Sequence, residues 1–165
     1  MSVDKRISLG IIKEELEVVR AQAGAFGWQI SPIDEDRQQF TVAMISPIDR
    51  EPYILLVQFD NYRQWPLLLE FLHPVTREPA LHAAYPKNGD SFFHGKPCIC
   101  NPCSRKSYKE YTNVHGDWQL EGWESNPQLQ SLKNLVSILQ AIYFRISSPD
   151  LYTGRMTGER FNVTS

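Results

Sequence analysis

Apolar residues recur at Ile7, Ile11, Leu16 and Val19, with Lys13, Glu14, Glu15 and Glu17 around them. Residues three and four apart share a helix face, so this spacing predicts an amphipathic helix over residues 4–23. Ser2 or Asp4 is placed to cap it and Gly24 to end it. Beyond residue 25 the pattern shortens. Residues 26–30, 40–45, 53–59 and 67–71 are rich in β-branched, aromatic and leucine side chains, and turn-like stretches at 32–37 and 46–52 separate them. Four strands with short connections predict an antiparallel meander. Helical spacing returns over 131–147, where Leu132, Leu135, Val136, Leu139, Ile142, Tyr143 and Ile146 form a broad stripe. Ser131 is placed to cap this second helix and Pro149 to stop it.

Between strands and second helix lies a stretch of another character. Residues 73–128 hold Pro74, Pro79, Pro86, Pro97, Pro102 and Pro127, all four histidines and all three cysteines. Long irregular segments inside one domain tend to carry function. The whole order predicts an α+β domain, a sheet with one face covered by helices. At 165 residues the chain is expected to be a single domain with a core over about 5–152. Hydrophobic residues make up 42% and charged residues 22%, which excludes a disordered or fibrous chain. A net charge of −2 offers no electrostatic footprint for nucleic acid or for an anionic membrane. With no apolar run of transmembrane length and a charged amphipathic start, the expected location is the cytoplasm.

Cys98, Cys100 and Cys103 fall within six residues, an odd count in a tight cluster and a poor disulfide framework. Three readings stay open. One thiol can act as an acyl acceptor, with Cys98 or else Cys100 as the nucleophile. Gly95 and Pro97 shape the loop before Cys98, and Lys96 and His94 make it electropositive, as a thiolate requires. His115 is the candidate general base or oxyanion partner, Asp117 the group to orient it, and Trp118 and Trp123 a roof over the site. Alternatively, His94, Cys98, Cys100, Cys103 and His115 contain enough ligands for a structural zinc. Finally, the cysteines can be inert.

The segment order and several motifs resemble the ubiquitin-conjugating enzymes over roughly residues 5–152. Pro52-Tyr53 matches the entry to that family's third strand. Asp60-Asn-Tyr62, Trp65-Pro66 and Glu70-Phe71 echo its Tyr-Pro…Pro-Pro…Phe passage, and Gly95-Lys-Pro-Cys98-Ile99 its Gly-x-x-Cys-aliphatic active-site segment. A tryptophan, then Leu132…Leu139-Gln140-Ala141 and Ser148-Pro149, complete the likeness. The family's His-Pro-Asn is absent; His73-Pro74-Val75 lies too far upstream, and Tyr85-Pro-Lys-Asn88 is only partly similar. The insertion after the cysteine, with Ser104-Arg105, His115-Gly-Asp-Trp118 and Tyr152-x-Gly-Arg-Met156, is similar to the bacterial branch found in antiphage operons, CBASS among them.

The resemblance implies a UBC-like fold and a thioester on Cys98. It implies transfer of the C-terminus of a CD-NTase or a ubiquitin-like protein to a target lysine, with no cofactor. An activating enzyme of the kind that charges ubiquitin is a further implied partner. Variants of the superfamily without the active cysteine leave a non-catalytic binding module as a second expectation, and a zinc-stabilised interaction domain as a third. Among the remaining polar residues, Asn88 and Asp90 read as a tight turn, and His73 and His82 as structural or surface groups. Arg105 and Lys106 read as solvated loop charges, Arg155 as a partner for an acidic residue near the C-terminus, and Trp28 and Trp65 as packing residues.

Overall fold

Asp4 accepts a hydrogen bond from the Arg6 amide and so caps helix α1, Lys5–Phe26, in a computed structural model that describes residues 3–162. Ser2 lies outside the described residues. The helix passes Gly24 and stops at Gly27, whose φ of 72° is the left-handed conformation that ends helices cheaply at glycine. Phe26, expected to start a strand, is therefore the last helical residue, and its ring stacks on Trp28 at 4.9 Å. The buried stripe is Ser8, Ile12, Leu16, Val19 and Ala23. Ile7 stands one position off that stripe and is 57% exposed.

The meander forms as predicted. Strands β1 (Gln29–Ile30), β2 (Gln39–Ile45), β3 (Pro52–Gln58) and β4 (Leu68–Leu72) make one antiparallel sheet in sequence order. Its register aligns Phe40 with Val57 and Leu69, and Val42 with Leu55 and Phe71. These rows point to one face, and every member is buried. They share a single core with the apolar stripes of both helices.

Helix α2 spans Leu135–Ser147. Its cap is Asn134, whose side chain accepts from the Ser137 amide, rather than the expected Ser131. The chain is not yet helical at Ser131, because Gln130 has a φ of 59° and Lys133 bonds back to the Ser131 carbonyl. Leu132 thus packs on the core from a loop. Among the described residues, no helix is long and apolar enough to cross a membrane.

The irregular region contains short pieces of order. β5 (Pro86–Asn88) pairs with β8 (Tyr152–Arg155), and β6 (Phe93–His94) with β7 (Cys98–Ile99). The β6–β7 hairpin carries Gly95, Lys96 and Pro97 at its tip, with the cysteines following.

Residues 101–108 are then fastened to the sheet. The Arg105 amide donates to the Leu67 carbonyl at 2.9 Å, and Ser104 Oγ to the Leu69 carbonyl at 3.2 Å. Arg105 is only 2% exposed and binds Asp60 at 2.7 Å, while Lys106 pairs with Glu70 at 3.3 Å. Both were expected in solvent. They are internal braces instead, because the segment lies along the outer edge of β4. Arg155 is likewise buried, but its partner is Glu51, the residue before β3, 3.2 Å away, rather than a residue near the C-terminus. The meander's neighbouring turn supplies that carboxylate, so pairing is long-range and invisible to local spacing.

Candidate active site

Three thiols close in sequence meet three different environments. Cys103 is fully buried in the core, and burial pushes its thiol up to about 12. Cys98 is also buried. Desolvation pushes it up to about 11, opposed by the adjoining Thr112 side chain and by the charges of Lys106 and Lys96. Cys100 is half-buried, with its thiol raised by desolvation. All three are free thiols.

Among the described residues, only Cys100 meets a base. Its Sγ lies 3.0 Å from His115 Nε2. Cys100 is fixed from one side, where its amide donates to the Phe92 carbonyl at 2.7 Å beside the hairpin. His115 is fixed from the other, by a loop that folds back on its own base. The His115 amide donates to the Ser107 carbonyl at 2.9 Å, the Asn113 amide to Tyr108 at 3.1 Å, and the Trp118 amide to His115 at 3.2 Å. Tyr108, in turn, donates its hydroxyl to the Pro102 carbonyl at 2.7 Å. Gly116 lets the Asn113 side chain lie close over the loop, since a Cβ there would stand 2.8 Å from Asn113 Oδ1 and push that amide aside.

The imidazole of His115 lies flat on the indole of Trp118, with centroids 3.7 Å apart and planes within 3°. Burial holds His115 below its usual value, and nearby His94 adds to this, while Asp117 pulls the other way. The ring is therefore neutral at pH 7 and able to accept a proton. Asp117 itself is exposed, and among the described residues it acts on His115 through charge rather than through a hydrogen bond. The sequence thus brings together Cys100, His115 and Trp118, while Cys98 is covered by the same loop and Asp117 stands outside it. Lys96 closes the cover by donating Nζ to the Thr112 carbonyl.

Other candidates have structural duties. Asp90 accepts from the Phe92 amide and pairs with Arg145 at 2.9 Å. His82 holds the hairpin tip through Gly95 O at 3.0 Å, and His73 Nδ1 accepts from the Val75 and Thr76 amides in its own turn. Trp123 stacks with Tyr62 and donates to the Arg63 carbonyl at 2.9 Å, away from the thiols. The role of Thr112 was not foreseen, since a threonine in a loop carries no signal without the fold. Among the described residues, no group of three or more His, Cys, Asp and Glu side chains converges as a metal ion would need.

An open cleft of about 440 Å³ begins at Asp117 and Trp118 and runs past Glu121 and Trp123 to Gln128. Asn101, next to Cys100, donates to the Gln128 carbonyl at 3.4 Å and so ties the thiol segment to that cleft. No protein-family model, curated protein or solved structure compared with the chain matches it.

Proposed function

We propose that this protein is a thiol acyltransferase of the ubiquitin-conjugating type, with Cys100 as the acyl-carrying thiol and His115 as its base. The observation that carries this reading is the 3.0 Å contact between Cys100 Sγ and His115 Nε2 at a half-buried, reachable position. A UBC-like fold is supported by the order of helix, four-stranded meander, short hairpin, irregular loop and helix. The resemblance of the Gly95-Lys-Pro-Cys98 segment supports it independently.

The chemistry is two acyl transfers. In the first, the Cys100 proton passes to His115 Nε2 and the sulfur attacks the activated C-terminal carbonyl of the carried protein. The tetrahedral intermediate collapses, its leaving group departs with the proton from His115, and a thioester remains. In the second, a lysine amine attacks the thioester carbonyl, gives its proton to His115, and expels the Cys100 sulfur. Asp117 and Glu121, at the cleft beyond Trp118, attract the cationic lysine toward the site. In keeping with the bacterial antiphage resemblance, the carried protein is a CD-NTase or a ubiquitin-like protein, and the donor is its thioester on an activating enzyme.

A second reading keeps Cys98 as the carrier. It is favoured by its place on the β6–β7 hairpin, three residues after Gly95, and by the nearby charges of Lys96 and Lys106. It requires the 106–115 cover to move aside. The test of the function is incubation with the carried protein and its activating enzyme, followed by non-reducing electrophoresis. A thiol-labile adduct is expected. Its absence, with the activating enzyme fully charged, favours the non-catalytic binding module.

A further inference from the structure

We propose that Trp118 is a positioning residue for the Cys100–His115 pair: its indole fixes the imidazole plane, and its π face stabilises the imidazolium formed when the thiol proton moves. This deepens the acyl-transfer reading and rests on the same pair.

Catalytic histidines are usually oriented by a third polar group on their other nitrogen. Here Asp117, the expected orienter, faces solvent and makes no hydrogen bond to His115 among the described residues. The indole takes that place. At 3.7 Å and 3° it leaves the imidazole one plane to occupy, and in that plane Nε2 meets Cys100 Sγ.

The indole is itself packed in place. It is 4% exposed, and it packs against Tyr108 at 5.5 Å, whose hydroxyl is bound to Pro102. The negative face of an aromatic ring attracts a cation, and tryptophan does so best. A neutral imidazole gains little from this face, whereas an imidazolium gains more. The stack therefore helps at the moment when the proton is on His115.

The charges around His115 come from several elements. Asp117 favours the imidazolium, and His94 on β6 opposes it. Lys96, bonded to the Thr112 carbonyl, and Lys106 stand on the Cys98 side of the cover. None of them orients the ring, so orientation is left to Trp118, whose face adds to Asp117 in stabilising the cation.

The test uses the intact protein, with no acyl donor, in Trp118→Phe and Trp118→Leu variants. His115 is titrated by NMR, and alkylation of Cys100 by iodoacetamide is followed by peptide mass against pH. In alkylation the sulfur–carbon bond forms, iodide leaves, and the thiol proton is taken up through His115.

In the wild type, the His115 ring protons are expected to resonate upfield under the indole. Leucine still excludes water but has no π face. Trp118→Leu is expected to lower the His115 midpoint further and to slow Cys100 alkylation at neutral pH about tenfold. Trp118→Phe keeps a weaker face and is expected to recover most of both. An unchanged midpoint and pH profile in a folded Trp118→Leu protein overturns the proposal. If that variant fails to fold, the wild type decides, because His115 ring protons without an upfield shift overturn the stack and the proposal with it. Acyl transfer plays no part in these readouts, so their failure is separable from failure of the transferase reading.

Discussion

His115 Nε2 stands 3.0 Å from Cys100 Sγ, although fifteen positions separate the two residues along the chain. Each is held by its own support. Cys100 hangs from the Phe92 carbonyl beside the hairpin, and His115 from the Ser107 carbonyl, in a segment braced on β4 through Ser104 and Arg105. Catalytic geometry needs such independent anchoring, because a misplacement of about 1 Å costs on the order of a hundredfold in rate. Burial adds to the arrangement by keeping the imidazole neutral where a base is needed.

His115→Asn is expected to slow adduct formation by about a hundredfold, the lower end of general-base effects, because cysteine is intrinsically nucleophilic. The pH profile carries the sign. Burial lowers the His115 midpoint, so the wild-type rate falls as pH drops through a value below about 6.5. The variant should lack that acid limb. Single-turnover charging from pH 5 to 8 measures both effects, and an acid limb that persists in the variant removes His115 from the mechanism.

Cys98 lies beneath Thr112, whose own hydroxyl donates to the Lys106 carbonyl. Thr112→Ala removes that bond and thins the cover over Cys98. In the wild type, thiol labelling is expected to reach Cys100 first and Cys103 last. The variant should speed labelling at Cys98 severalfold and leave Cys103 unreacted, as mass mapping of timed samples would show. Equal rates at Cys98 and Cys100 in the wild type contradict the burial pattern.

Much of the frame was legible in the chain. The meander follows from alternating apolar positions, since the period of two puts Phe40, Val42 and Met44 on one face wherever the strand pairs. Helix ends were less legible. Gly24 and Gly27 both invite a stop, and the choice fell to the one next to Trp28, whose packing demands the turn. In the site, the residue types were readable as a Cys/His cluster, but the pairing was not. Gly95-Lys-Pro-Cys98 draws attention to Cys98, whereas the less buried position and the base belong to Cys100. That distinction arises from loop 108–118 folding back, which no periodicity records. Arg105, Lys106 and Arg155 show the same limit, because a buried charge differs from a solvated one only through its distant partner.

The Glu51–Arg155 pair is almost fully buried and highly connected. Glu51 also accepts from the Phe161 and Asn162 amides at 2.7 and 2.8 Å, and Arg155 donates to the Ala83 and Pro52 carbonyls. Removing one partner strands a buried charge and costs about 3–5 kcal/mol. Arg155→Met is expected to destabilise the protein by that order in urea unfolding and to release residues 161–162. A loss under about 1 kcal/mol means water reaches the site.

Acid should loosen the support of the site through Asp60. Its hydrogen bonds from Arg105 hold the carboxyl below its usual value, so its contribution is present above about pH 3.9 and is lost as pH falls through the lower folded midpoint. Asp60→Asn is expected to reduce stability at pH 7 and to equal the wild type in strong acid. Thermal unfolding across pH 2–7 checks this, and a pH-independent gap between the two proteins excludes the link.

The most direct measurement charges Cys100→Ser and Cys98→Ser variants separately and maps any trapped ester by mass spectrometry. With Cys100 as carrier, Cys100→Ser yields an ester at position 100 or no adduct, and Cys98→Ser still forms the thiol-labile thioester. Normal charging of Cys100→Ser, with loss of the thioester in Cys98→Ser, contradicts the assignment and makes the covered Cys98 the carrier.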